Sequence, residues 1–179
     1  MARSLMLTAL LAALLAALLA AVALGGCTPS RGAAPPDGTA TVVSVTDGDT
    51  IDVDIAGHQE SVRLLGIDTP ETHHPTKPVE CYGAEASART AELLPVGSRV
   101  RLVRDVEARD RYGRLLAYVY RAADDLFVNR SLVTDGYADT LDIAPNDAHA
   151  AELARAVAVA RAGQVGLWGA CGGPDVPAG

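Results

Sequence analysis

The sequence predicts a mainly β protein with helices, an α+β domain built on a small barrel, and three observations carry that expectation. Between residues 39 and 121, short runs of alternating apolar and polar residues recur, separated by turn-forming residues. A segment of helical period interrupts them after the third run. Two further Val- and Leu-rich runs resume the β pattern before helical segments close the chain.

Residues 41–45 are β-branched and apolar, and Asp47-Gly48-Asp49 is a turn signal. In residues 50–55, Ile51, Val53 and Ile55 alternate with Asp52 and Asp54, so one face is marked for a core. Ala56-Gly57-His58 turns the chain again, and residues 60–65 complete a three-stranded meander. In residues 80–94, Ala84, Ala88 and Ala91 fall at i, i+4, i+7, and Glu85 and Arg89 are spaced for an outer ion pair. Pro95 and Gly97 end that helix. Residues 99–104 and 115–120 supply the fourth and fifth strands, joined by the charged loop 105–114. Residues 128–135 and 148–162 read as helices, the second Ala-rich and rimmed by Glu152, Arg155 and Arg161, which makes about three helices. Five strands with a helix after the third is the order of a five-stranded oligonucleotide-binding-type (OB-fold) Greek-key barrel.

Outside the barrel the composition changes. Residues 5–24 are an almost unbroken Leu/Ala run behind Arg3, ending in Leu24-Gly25-Gly26-Cys27. This resembles a bacterial lipoprotein signal peptide, residues 1–27, ending in a lipobox. The resemblance implies that Cys27 takes lipid on its thiol and becomes the new N-terminus. An uncleaved membrane helix is the other reading, because about 20 apolar residues span a bilayer. Both expect a chain anchored at the cell membrane and facing the extracellular side. Residues 28–38, rich in Pro, Gly and Ala, read as a flexible linker; residues 39–171 form the domain, and residues 172–179 read as a disordered tail.

With Cys27 assigned to lipid, Cys81 and Cys171 remain as an even pair in an oxidising compartment, which points to a disulfide; two independent thiols is the alternative. The formal charge of −7 argues against broad coating of nucleic acid, which needs a basic surface. It leaves room for a local cationic cleft, particularly one completed by a divalent metal.

Three places collect charge at strand ends: Asp47 with Asp49, Arg63 with Asp68 and Glu71, and Arg111 with Arg114. Taken singly they read as a hairpin turn, a solvated strand edge and loop charges. Together they match what phosphodiester hydrolysis needs. Hard oxygen ligands hold calcium or magnesium, a free carboxylate activates water, and guanidinium forks stabilise the transition-state charge.

The runs VTDGDT, VRLLGIDTPE, CYGAEAS and DRYGRLLAYVY, in that order, resemble the thermonuclease family of staphylococcal-nuclease-like domains over residues 39–168. The resemblance implies a calcium-dependent phosphodiester hydrolase, an endonuclease that cleaves DNA and RNA to 3′-phosphate products with little sequence specificity, acting as a monomer. Position by position, it implies that Asp49, Asp68 and the Thr69 carbonyl ligate calcium. It implies that Glu71 is the base and that Arg63 and Arg114 bind the scissile phosphate, with Asp47 close by. Lys77, Arg111 and Tyr112 match substrate-groove positions. Ala138-Asp139-Thr140-Leu141-Asp142-Ile143 stands where the family places base-stacking tyrosines, so base contacts should be weaker or differently selective. His73 and His74 are read as loop residues, because oxygen ligands are already assigned. Trp168 is read as structural. The other function class is a non-catalytic OB-fold lipoprotein that binds nucleic acid or protein.

Overall fold

The computed structural model describes residues 38–72 and 78–178. Cys27 with the signal and most of the linker, and His73, His74 and Lys77, lie outside the described residues. Among the described residues no helix is long and apolar enough to cross a membrane.

The alternation of the first three runs becomes a meander of β1 (Thr39–Asp47), β2 (Thr50–Ile55) and β3 (His58–Leu64). Register shifts between Val42 and Ser44 and between Val45 and Asp47 bend β1. Its first residues can then pair with β5 (Arg99–Val103), placing Thr39 opposite Arg101. β6 (Leu115–Arg121) pairs antiparallel with β5 and parallel with β3, where Val62 faces Leu115 and Leu64 faces Ala117. That last pairing closes the five strands into a barrel with no free edge. Ile51, Val53, Val62, Leu64, Val100 and Val119 fill it and are wholly buried. Burial of each such side chain contributes about 1.5–3 kcal/mol.

Three short strands lay outside the sequence reading. β7 (Leu126–Phe127) extends β6, while β4 (Gly66–Asp68) and β8 (Asp139–Leu141) form a separate ribbon with Asp68 opposite Asp139. The acidic segment 139–141 therefore props the strand carrying Asp68.

The helices are α1 (Gly83–Leu93), α2 (Val128–Thr134), α3 (Ala150–Ala162) and α4 (Leu167–Ala170). In α1 the expected face is corrected. Ala84, Ala88 and Ala91 are exposed, and Gly83, Ala86, Thr90 and Leu93 are buried. Both stripes have helical spacing, but Leu93 carries more apolar area than any alanine and decides the rotation. Arg89 likewise pairs with Glu92 at 3.1 Å and Asp135 at 2.9 Å instead of Glu85. In α2, Asn129 is fully buried; it accepts from Val119 N–H at 2.9 Å and donates to Leu65 O at 2.8 Å, joining helix to barrel. Trp168 is 3% exposed beneath the Arg161 guanidinium, consistent with a packing role.

Cys81 and Cys171 are bonded, closing a separation of 90 residues with Cα atoms 6.0 Å apart. Residues 172–178, expected to be disordered, instead lie along residues 79–81. Cys81 N–H donates to Val176 O at 2.6 Å, Ala178 N–H donates to Val79 O at 2.9 Å, and Glu80 bridges Pro177. The disulfide delivers the tail to a stretch with backbone groups to pair, which local composition does not encode.

Candidate active site

Barrel register explains why charges distant in sequence meet. Thr50 on β2 faces Arg63 on β3, and Arg63 faces Leu116 on β6, forming one row across three strands. Residues two apart share a strand face, so Arg114, just ahead of β6, projects on the same side as Leu116. Asp49 directly precedes Thr50 in the turn between β1 and β2.

That turn is pressed against the end of β4. A Cβ on Gly48 would lie 2.7 Å from Thr69 Oγ1 and 2.9 Å from Thr69 Cβ, so only glycine permits the approach. The Thr90 hydroxyl on α1 donates to Gly48 O at 2.6 Å. Thr69 N–H donates to Asp49 Oδ2 at 3.2 Å, and the Thr50 hydroxyl donates to Asp49 Oδ1 at 2.9 Å.

Arg63 lies 5% exposed at the centre. Its Nη1 donates to Leu64 O at 2.7 Å and Ile67 O at 2.8 Å, while Nη2 meets Asp49 Oδ2 at 3.0 Å and Asp68 Oδ1 at 2.8 Å. One guanidinium nitrogen thus serves both predicted metal-ligating carboxylates. Burial pushes the Asp68 carboxyl up to about 6; Arg63 opposes the shift, and Asp49, Asp175 and Glu80 add to it.

Glu71 is held by its main chain. Its N–H donates to Glu80 Oε2 at 2.9 Å, and its carbonyl accepts from Glu80 N–H at 2.9 Å. Its side chain hydrogen-bonds Asp47. Asp47 Oδ1 also accepts from Gly48 N–H at 2.8 Å and from the Thr72 and Ser87 hydroxyls at 3.0 Å each. Burial alone would raise the Asp47 carboxyl, but hydrogen bonds from Glu71, Gly48, Thr72 and Ser87 hold it below its ordinary value.

Arg114 is aimed by Asp110. Its Nε donates to Asp110 Oδ2 at 2.7 Å, its main-chain N–H donates to Asp110 Oδ1 at 3.0 Å, and Nη1 reaches the Thr50 hydroxyl oxygen at 3.4 Å. Gly113, with φ of 85°, makes the turn that lets Asp110 and Arg114 face each other. Burial would raise the Asp110 carboxyl, but Arg114 and the backbone N–H groups of Arg114 and Tyr112 draw it below the ordinary range. Asp110→Asn keeps the shape and an acceptor but removes the charge that orients the guanidinium. Cleavage efficiency is expected to fall about ten- to a hundredfold, with little change in melting temperature. Steady-state kinetics beside a thermal melt checks this; unchanged kinetics would remove Asp110 from the site.

Asp49, Arg63, Asp68, Thr69, Glu71 and Arg114 line one cleft of about 800 Å³. Arg111 and Tyr112 stand on its rim, Tyr112 69% exposed with the two neighbouring guanidiniums 4.7 and 5.6 Å from its ring centroid. Leu141 and Ile143 form an apolar wall where the family resemblance had placed aromatic rings.

The donor chemistry fits a hard cation. Asp49, Asp68 and the Thr69 carbonyl offer oxygen only, as calcium and magnesium prefer. Among the described residues no three His, Cys, Asp or Glu side chains gather about one point, so Asp49, Asp68 and the Thr69 carbonyl are the groups that would hold such a cation. Thr69 Oγ1, buried beside the turn, finds no hydrogen-bond partner among the described residues.

The sequence reading missed Thr50, Asp110, Glu80 and Asp175, all of which line the cleft. Asp110 had a legible signal, an acid four residues before an arginine across a Tyr-Gly turn. Glu80 and Asp175 had none, because their roles depend on the disulfide and the tail.

Fold and site together define an OB-type barrel whose rim carries paired arginines beside an acidic oxygen-donor set, the furniture of a phosphate-handling protein. Residues 61–170 match the model of the staphylococcal nuclease homologue family, and the chain belongs to that family. It is 43% identical over 127 residues to the thermonuclease of Staphylococcus intermedius, covering 71% of this chain and 74% of that one. Identity to the thermonuclease of Staphylococcus hyicus is 39% over 130 residues, covering 73% and 75%. A further relative, the SPbeta prophage-derived endonuclease YokF of Bacillus subtilis (strain 168), is 36% identical over 129 residues, 72% of this chain and 43% of that protein.

Proposed function

We propose that the protein is a nuclease: a calcium-dependent phosphodiester hydrolase that cuts DNA and RNA with little sequence preference and leaves 3′-phosphate ends. The observation that carries this reading is the convergence of Asp49, Asp68, Glu71, Arg63 and Arg114 on one cleft.

Calcium held by Asp49, Asp68 and Thr69 supplies a fixed double positive charge against the phosphate oxygens. Arg63 Nη2 meets both carboxylates. With a cation held by those carboxylates, the Arg63 Nη2 N–H groups would be free to bond a phosphate oxygen. Arg114, braced by Asp110, offers its Nη groups from the loop just ahead of β6. Glu71 takes a proton from the attacking water in its ionised form, which requires the proton of its Asp47 hydrogen bond to leave first. The negative charge that grows on the oxygens of the five-coordinate phosphorus is met by the Arg63 and Arg114 guanidiniums. Proton delivery to the departing 5′-oxygen from the Arg114 side leaves phosphate on the 3′ end.

Digestion of single- and double-stranded DNA and of RNA by the purified protein, with and without chelator and with end-group analysis, tests the reading. Intact nucleic acid after incubation in millimolar calcium rejects it.

Proton competition at Asp68 sets a pH dependence. Its carboxyl, ordinarily near 3.8, sits at about 6 in the folded metal-free protein, so the folded state holds a proton that the unfolded chain releases. Metal-free stability from this half-exposed group therefore falls as pH rises from 3.8 through about 6. Calcium binding runs the other way: affinity is expected to fall roughly tenfold per pH unit below 6 and to level above it. Calcium titrations at graded pH check the slope, and a flat profile from pH 5 to 7 excludes Asp68 as a ligand.

The same reading places the enzyme outside the cytoplasm, lipid-anchored through Cys27. Residues 1–27 support this by composition, and the Cys81–Cys171 bond supports it because disulfides persist in oxidising compartments.

A further inference from the structure

The family match ends at residue 170, one position before Cys171. The tail beyond it reaches the site. The disulfide to Cys81, the Cys81–Val176 and Ala178–Val79 backbone bonds and the Glu80–Pro177 bridge lay residues 172–178 along the segment that holds Glu71. Asp175 has φ of 58°, a conformation non-glycine residues seldom adopt, and the paired residues 176–178 follow it directly. There it lines the cleft with Asp49 and Asp68.

We propose that the C-terminal tail is a strap, fastened by Cys81–Cys171, that holds Asp175 at the metal end of the cleft to tighten cation binding by its field. The inference rests on the calcium-nuclease reading above. Asp175 is a positioning charge and not a ligand, since it joins no three-carboxylate cluster with Asp49 and Asp68 among the described residues. Asp175 shares the cleft lining with both carboxylates, so its charge faces the same space as theirs. The strap also grips the base loop. Glu80, bridged to Pro177, takes both main-chain hydrogen bonds of Glu71.

The test is calorimetric titration of calcium chloride into the full chain in mild detergent and into Asp175→Asn and Asp175→Glu. Asn tolerates positive φ, so the first variant removes charge without strain. Affinity is expected to weaken about three- to tenfold in Asp175→Asn, from one unit charge acting on a divalent ion across a few ångströms of partly solvated cleft. The difference should shrink in about 1 M salt, where the screening length is about 3 Å. Asp175→Glu should restore wild-type affinity. Equal affinity of wild type and Asp175→Asn, with DNA cleavage intact, overturns the strap alone. A loss that persists undiminished at high salt makes the role structural and also overturns it. If the wild type takes up no calcium, both this inference and the calcium reading fall.

Discussion

Glu71→Gln is expected to lower kcat for DNA cleavage by about 10²–10⁴, the usual contribution of a positioned general base, while calcium affinity and melting temperature stay near wild type. The substitution is nearly isosteric. Glu71 is fixed by main-chain bonds to Glu80, which no side-chain change removes, and the Gln amide can still donate to Asp47. What disappears is the ability to accept a proton from water. A kcat within tenfold of wild type would show that another group, Asp47 first among them, takes that proton. Because Asp47 receives three hydrogen bonds from Gly48, Thr72 and Ser87, its charge is already stabilised and it is the weaker base. Single-turnover measurements separate this loss from any change in product release.

Replacing Arg63 by Met should produce the largest combined effect. The guanidinium is 5% exposed, and it joins two carbonyls and two carboxylates. Removing one partner of a buried ion pair leaves uncompensated charge and typically costs about 3–5 kcal/mol, so metal-free Arg63→Met should denature at markedly lower urea than wild type. Calcium should then recover part of the loss, because it neutralises the same Asp49 and Asp68 carboxylates and binds only the folded chain. Cleavage should stay low even with calcium, since a thioether cannot hold a phosphate. Urea denaturation with calcium and with chelator decides the matter. If stability is unchanged in chelator, the Arg63 pairs contribute nothing net, and the view of this guanidinium as a stand-in for the cation fails.

Much of the site was readable because its residues sit in short motifs whose local chemistry is unusual. Asp68 ends a strand, Asp49 and Gly48 form a tight turn between two strands, and Arg63 interrupts the apolar run of residues 62–65. What was misread depended on rotation or partner choice. The stripe of alanines on α1 had helical spacing yet faces solvent, because Leu93 and Thr90 turn the helix the other way. Arg89 was matched to its neighbour Glu85 but reaches Asp135, brought close only by folding.

By itself the sequence determined where the five barrel strands run and turn, which acids and arginines stand near their ends, and that Cys81 and Cys171 are the even pair available for a disulfide. These are consequences of period, backbone preference and counting, all local. Only the tertiary structure decided that β3 closes on β6, that Asp110 aims Arg114 and that the tail brings Asp175 to the cleft. Each of those joins segments whose spacing along the chain carries no signal, and the geometry comes from closing a twisted sheet and fastening a disulfide. Such contacts are chosen by the packing of the whole domain, so no window of residues can reveal them.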